Sequence, residues 1–299
     1  MPQTINTNLV SLNAQRNLSS SQGLLSTSMQ RLSSGLRVNG AKDDAAGLAI
    51  AERMNAQVKG MNVAIRNAND AISLAQTAEG SLGKVGDILQ RMRELAVQSA
   101  NGTNTAADRN SLNEEFVQLA QEATRTLGGT QFNGQSVLAQ TGVANFTFQV
   151  GANNNANIDR IDVAAFNWAA TTEITNLLGS DIMTGAATPT LQITATTAPT
   201  DLAEGLAAAQ GAIASLDIAL SNINSQRGTF GAVQNRFENV VANLMVNAEN
   251  QSAARSRIMD ADYAVETSNL SRAQILQQAG NAMVAQANQQ PQQVLALLR

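Results

Sequence analysis

The stretch "AQILQQAGNAMVAQANQQPQQVLALL" runs from Ala273 to Leu298 without one ionisable side chain. Gln and Asn alternate there with Ala, Leu, Ile, Val and Met, so it is too polar to cross a membrane and too regularly apolar to be a mere tail. Leu276, Ala279, Met283 and Ala287 fall at i, i+3, i+7 and i+11, one stripe of an α-helix. Val294 and Leu298 continue that phase beyond Pro291, where a kink or a restart is expected. Such a helix suits surroundings made of other helices.

The opposite end offers a partner. From Met1 to Lys42 the only charged side chains are Arg16, Arg31, Arg37 and Lys42, a composition that mimics a mitochondrial transit peptide. No compact apolar core followed by a small-residue cleavage site marks a secretory signal. Leu18, Leu25 and Leu32 recur every seven residues, with Met29 and Leu36 at the intervening spacing, which is a coiled-coil seam. Ile5, Leu9 and Leu12 are out of phase with it, so one uninterrupted heptad register is not supported. A transit peptide has no counterpart at the far end of a chain, whereas two narrow-striped helices do. An ordinary helical hairpin within a bundle is the competing reading. Ordering a residue costs roughly 1–2 kcal/mol in backbone entropy and a buried Leu returns roughly 1.5–3 kcal/mol. With few leucines, two such ends paired alone are marginal, so other subunits are expected to cover them and the ends are expected to order on assembly.

Composition excludes much else. Hydrophobic residues make up 43% of the 299, yet aromatics are only 3%, and much of the apolar content is Ala. That favours long, thin helical assemblies. A net charge of −4 and a pI near 5.0 give no general attraction to nucleic acid. Cys and His are both absent, which removes thiol chemistry, imidazole bases and ordinary zinc sites. Lys42, Lys59 and Lys84 have no recognisable catalytic partner, and Asp43–Asp44 and Glu114–Glu115 read as helix caps or solvated charge. No enzyme, cofactor or metal is expected.

The interior reads as helices around a small β region. Leu48, Met54, Val58, Met61, Ile65, Ile72, Leu82, Leu89 and Leu95 give a buried side from Asp43 to Ser99, with Asp43 or Asp44 as cap. About 55 residues at about 1.5 Å each make a rod near ~80 Å. "NGTNT" (Asn101–Thr105) turns, and a second helix returns until Gly128–Gly129. The glycines within Gly80–Asp87 read as close packing. "FTFQV" (Phe146–Val150) and "IDRIDVAAF" (Ile158–Phe166) read as a hairpin, the Thr/Ala-rich 167–200 with Pro189 and Pro199 as loop, and Asp201–Ile258 as a third long helix. The expected architecture is mainly α, an elongated hairpin or coiled-coil rod with a small β-hairpin near 140–166.

Several long runs resemble bacterial flagellin. In the first half they are "NTNLVSLNAQRNL", "RLSSGLRVNGAKDDAAGLAIAERM", "LQRMRELAVQSANGTNT" and "TQFNG". In the second they are "RGTFGAVQNRFENVVANL", "ARSRIMDADYAVETSNLSRAQILQQAG" and "ANQQPQQVLALLR". They cover roughly 5–140 and 210–299, in order, and leave little room for a folded outer domain between them. The resemblance implies a chain whose ends meet in an inner coiled-coil domain, residues 1–43 with 256–299, beside an elongated outer domain, 44–255. It implies a secreted, extracellular filament subunit for swimming, exported unfolded and polymerised beneath a cap at the distal tip. Polymerisation would rest on Leu18, Leu25, Met29, Leu32, Leu36, Leu276, Met283, Val294 and Leu298. An export chaperone would hold the C-terminal helix, and the filament cap and hook–filament junction proteins would be neighbours. Carried over residue by residue, Gln90, Arg91, Leu95 and Glu115 would contact Toll-like receptor 5 of animal hosts. The rival readings are a hook–filament junction protein with similar ends and a membrane-active amphipathic protein. Against the second, the C-terminal stretch lacks a basic polar face, and no membrane insertion is expected.

Overall fold

A computed structural model describes residues 7–138, 145–164 and 202–297. Helix α1 spans Leu9–Ser34, α2 Ala45–Ser99, α3 Ala106–Gly129, α4 Leu202–Met259 and α5 Tyr263–Leu297. Strands β1 (Gln131–Phe132) and β2 (Gln135–Ser136) pair antiparallel, as do β3 (Asn145–Gln149) and β4 (Arg160–Ala164). The protein is mainly α, with its β structure confined to the middle of the chain. The loop expected over 167–200, the end of the expected second strand at Phe166, and Leu298 lie outside the described residues, as does the side chain of Val294.

Residues 59–247 form one compact unit and residues 1–58 with 248–299 another. The second of these takes in the first turns of α2 and the last turns of α4, beyond positions 43 and 256 where the sequence placed its boundary. A small cluster accounts for this. Val38, Ala51 and Met259 are buried together, with Leu36, Leu48 and Ile258 packed against them. The backbone is stitched at the same place: Leu36 bridges Asp260, Arg37 N donates to Met259 O (2.6 Å) and Ala261 N to Gly35 O (2.9 Å). The Arg37 guanidinium adds a bond to Ile258 O at 2.8 Å. Of the two candidate caps for α2, Asp44 takes the role by accepting from Gly47 N at 2.7 Å. Asp43 instead accepts from Asn39 N and Gly40 N and closes the turn before the helix.

In the unit of residues 59–247 the buried face of α2 is a heptad seam, built mostly of small residues where the sequence reading followed bulky ones. Met61, Ala64, Ala68, Ala71, Ala75, Ala78, Leu82, Val85, Leu89, Met92 and Ala96 are all buried, at alternating steps of three and four. Ala209, Ala212, Leu216, Ala219, Ile223, Phe230 and Phe237 supply the matching stripe on α4. Gln234 Nε2 donates to Glu79 Oε2 (2.9 Å) and Arg93 pairs with Asp217 (2.6 Å), which makes α2 and α4 antiparallel. Phe116, Ala120, Ala123 and Leu127 of α3 complete the core. The expected close packing at Gly80 and Gly83 is corrected: a Cβ there would meet nothing, and one on Gly86 would only touch Ile223 at 3.9 Å.

The β3–β4 hairpin lies on this core. Phe148 meets Phe237 edge-on, with ring centroids 5.7 Å apart, and Asn67 Nδ2 donates to Gln149 O at 2.9 Å. The approach is close enough that a Cβ on Gly60 would lie 2.7 Å from Ala152 Cβ. Helix α3 starts in a capping box, with Thr105 Oγ1 accepting from Asp108 N and Asp108 accepting from Thr105 N. The Thr105 hydroxyl, donating to Asp108 Oδ2 at 2.7 Å, and then the Thr105 N–H hold the Asp108 carboxyl below its ordinary value. The sign follows: a depressed folded pKa stabilises above the unfolded value and is lost as pH falls through the folded one. Thr105→Ala should therefore cost about 1 kcal/mol near neutral pH, as read by thermal melts. The cost should shrink in acid.

Candidate assembly site

The terminal helices α1 and α5 pack against each other in antiparallel fashion. Asn8 caps α1 by accepting from Ser11 N and donates its Nδ2 to Ala287 O at 2.7 Å. Ser11 Oγ donates to Asn288 Oδ1 at 2.7 Å, and at the other end Arg31 Nη1 reaches Glu266 Oε1 at 3.1 Å. Between those ends Leu18 sits on Gly280, where a Cβ would lie 3.1 Å from Leu18 Cδ1. Leu18, Leu25 and Leu32 are half-buried in this seam, as their seven-residue spacing requires.

Of the other expected assembly residues, Met29, Leu36, Leu276 and Met283 do not lie in it. Met29 is 57% exposed, and the intervening seam positions are Ser21 and Ser28. Leu36 lies past the end of α1 and belongs to the Val38–Met259 cluster. On α5 the covered positions are Glu266, Leu270, Ala273, Gln277, Gly280, Val284 and Ala287. Leu276 is 44% and Met283 60% exposed, and Ala279 is exposed as well, so among the described residues only Ala287 of the expected stripe faces α1. The reason is steric. Two helices approach closely only where one side is small, so Ala273, Gly280 and Ala287 face α1 while Ile275, Leu276 and Met283 turn outward. Helix α5 also runs through Pro291 to Leu297, without the restart expected there.

What results is a pair of helices joined by one apolar seam and carrying further apolar side chains outside it. Leu9, Val10, Leu12, Leu24 and Met29 on α1 and Val265, Ile275, Leu276 and Met283 on α5 are exposed. By their heptad positions Leu24, Leu276 and Met283 fall on one flank of the seam and Met29 on the other. Large apolar side chains exposed in such number mark surfaces that another molecule covers.

In the other unit, Gln90 and Arg91 are exposed, Glu115 is half-buried and Leu95 is buried. Arg91 binds Glu115 Oε1 through both Nε (3.1 Å) and Nη2 (2.9 Å), and Glu94 at 3.0 Å. Glu115 first, then Glu94, hold its guanidinium above the ordinary value. Leu95 is 1% exposed and belongs to the helical core, so the expectation that it offers a contact on the Arg91 face is corrected. One turn of helix separates them, but Leu95 falls on the heptad side. Among the described residues no group of acids is arranged to hold a metal ion. One helix, residues 205–259 within α4, is long and apolar enough by composition to cross a membrane. Its apolar stripe, from Ala209 to Phe237, is the one already packed in the core.

Comparison with known proteins adds the last element. The model of the bacterial flagellin N-terminal helical region matches residues 5–142, and that of the C-terminal helical region matches residues 213–298. A flagellin of Halalkalibacterium halodurans is 46% identical over 99% of both chains. One of Xenorhabdus nematophila is 48% identical over the whole of both. The crystal structure of Bacillus cereus flagellin is similar at a TM-score of 0.45 and 34% identity, over 64% of this chain and 94% of that one. With both helical ends matched and the full length aligned to such relatives, the chain belongs to the bacterial flagellin family.

Proposed function

We infer that this chain is the major structural subunit of a bacterial flagellar filament and not an enzyme. Flagellins polymerise into filaments, and the observation that carries the reading in this molecule is the set of large apolar side chains left exposed outside the seam on α1 and α5. A hook–filament junction protein would have similar ends, but end-to-end identity to curated flagellins favours the filament subunit. The test is electron microscopy of the purified chain under polymerising conditions. Filaments of uniform diameter are expected, and amorphous aggregate alone would overturn the reading. A membrane-active role predicts co-sedimentation with liposomes instead.

The finer steps belong to the same reading. The chain is exported unfolded, which the absence of Cys favours because no disulfide can form before passage. It is then added at the distal tip beneath the filament cap, beyond the hook–filament junction proteins, as part of an extracellular filament. The unit of residues 1–58 and 248–299 is read as the inner domain. Before export a chaperone holds α5, because Ile275, Leu276 and Met283 would self-associate if left uncovered. Leu276→Asp with Met283→Asp should weaken that complex more than about tenfold by calorimetry. Unchanged affinity would move the chaperone site to another segment.

Toll-like receptor 5 of animal hosts is read as contacting Gln90, Arg91 and Glu115, with Leu95 holding the helix in place from the core. Arg91 offers a planar donor fork at a surface already poised by two carboxylates. Reporter-cell potency of folded Arg91→Ala monomer should fall about tenfold or more. Equal potency to wild type would remove Arg91 from the contact.

A further inference from the structure

We propose that the Arg31–Glu266 ion pair sets the register of the α1–α5 coil, and so positions the two outer apolar patches for assembly. The apolar seam cannot do this alone. Leu18 sits on Gly280, and steps of seven then bring Leu25 to the level of Ala273 and Leu32 to that of Glu266. Slide α5 by one heptad and Leu18 meets Ala287, Leu25 meets Gly280 and Leu32 meets Ala273. Large residues still face small ones, and Leu32 loses an acid and gains an alanine. By packing alone the slipped coil is no worse.

Polar contacts distinguish the two. Glu266 occupies a seam position with its side chain 8% exposed, and its carboxylate reaches Arg31 at 3.1 Å. In the slipped coil Glu266 falls level with residue 39, beyond the end of α1, and Arg31 is left among uncharged side chains. With Glu266 buried and Arg31 only partly so, losing the pair leaves a partly buried charge uncompensated, which is the means by which a polar seam residue specifies register. The bonds of Asn8 to Ala287 and of Ser11 to Asn288 are lost as well. The stitch of Gly35 and Arg37 to residues 258–261 is the rival device, since it ties the same end of the coil.

Register has a consequence for assembly, which rests on the reading of the outer face as the contact between copies. A seven-residue slip displaces Leu276 and Met283 by about 10 Å along α1 relative to Leu24 on the same flank. A neighbour that fits the native composite face then no longer fits.

Because the chain has no Cys, paired cysteines report register directly. Ala14→Cys with Val284→Cys cross-links in the native register, and Ser21→Cys with Val284→Cys in the slipped one. Full-length protein is oxidised in three backgrounds: otherwise native, Glu266→Ala, and the exchange Arg31→Glu with Glu266→Arg. The ratio of native to slipped cross-link should fall about tenfold or more in Glu266→Ala and recover in the exchange. An unchanged ratio assigns register to the backbone stitch and overturns the proposal. A Glu266→Ala chain that keeps register yet fails to polymerise also overturns it, by placing the pair at a contact between copies. If that chain slips and still polymerises like wild type, the register assignment stands and the reading of the outer face fails.

Discussion

Leu276→Asp together with Met283→Asp should abolish filament growth at concentrations where the native chain polymerises fully, while leaving the monomer folded. Both side chains lie outside the α1–α5 seam and are 44% and 60% exposed, so each contributes little to the packing of one chain on itself. Exposed substitutions of that kind usually change monomer stability by no more than about 0.5 kcal/mol. In a filament the same face is covered. Each substitution then removes up to about 1.5–3 kcal/mol of apolar burial and forces a carboxylate out of water, which costs several kcal/mol more. A total near ~3 kcal/mol already raises the critical concentration more than about a hundredfold. Seeded growth followed by sedimentation measures this, with circular dichroism melts as the check on folding. Leu25→Asp provides the contrast, because Leu25 lies in the intramolecular seam and its loss should loosen the coil within the monomer. If the double variant elongates seeds at the native rate, the outer face is not the contact between copies.

That contrast shows what the sequence disclosed and what it hid. Heptad leucines on α1 are large, regularly spaced residues with a single covered face, and Leu18, Leu25 and Leu32 were legible for that reason. On α5 the rule inverts. The seam is made by what is absent, at Ala273, Gly280 and Ala287, and a reading weighted towards bulk picks the opposite face. The same blindness recurs in α2, where Ala64 to Ala78 carry half of the buried stripe. Local chemistry was more readable, since the acids before α2 and the hairpin of β3 and β4 rest on short-range rules. The β1–β2 hairpin was missed despite its signal. Asn133–Gly134 takes positive φ at both positions (51° and 77°), the geometry that an Asn-Gly pair supplies for a two-residue turn. Leu95 was read twice: its helical spacing placed it on the buried side, as found, while the motif carried from a family made it a contact, because such a motif says which residue matters and not which way its helix faces.

Phe237→Ala should lower the melting temperature of the unit of residues 59–247 on the order of ten degrees. Phe237 is fully buried and is one of the few large side chains in a core otherwise filled by Ala and Leu. Phe148 is held by its strand pairing, and the alanines of α2 have no rotamers with which to adjust to the gap. The truncation then leaves most of its cavity, at a cost of about 3–5 kcal/mol. For a unit of this size each kcal/mol corresponds to roughly 2–4 °C. Part of that loss belongs to the hairpin, because Phe148 of β3 meets the Phe237 ring edge-on at 5.7 Å. A double-mutant cycle with Phe148→Leu should return a coupling of about 0.5–1.5 kcal/mol. A cycle that closes at zero would mean the hairpin is held by Asn67 and the Gly60–Ala152 approach alone. Strict additivity with a small Phe237→Ala effect would also show that this alanine-rich core collapses more readily than its heptad packing implies.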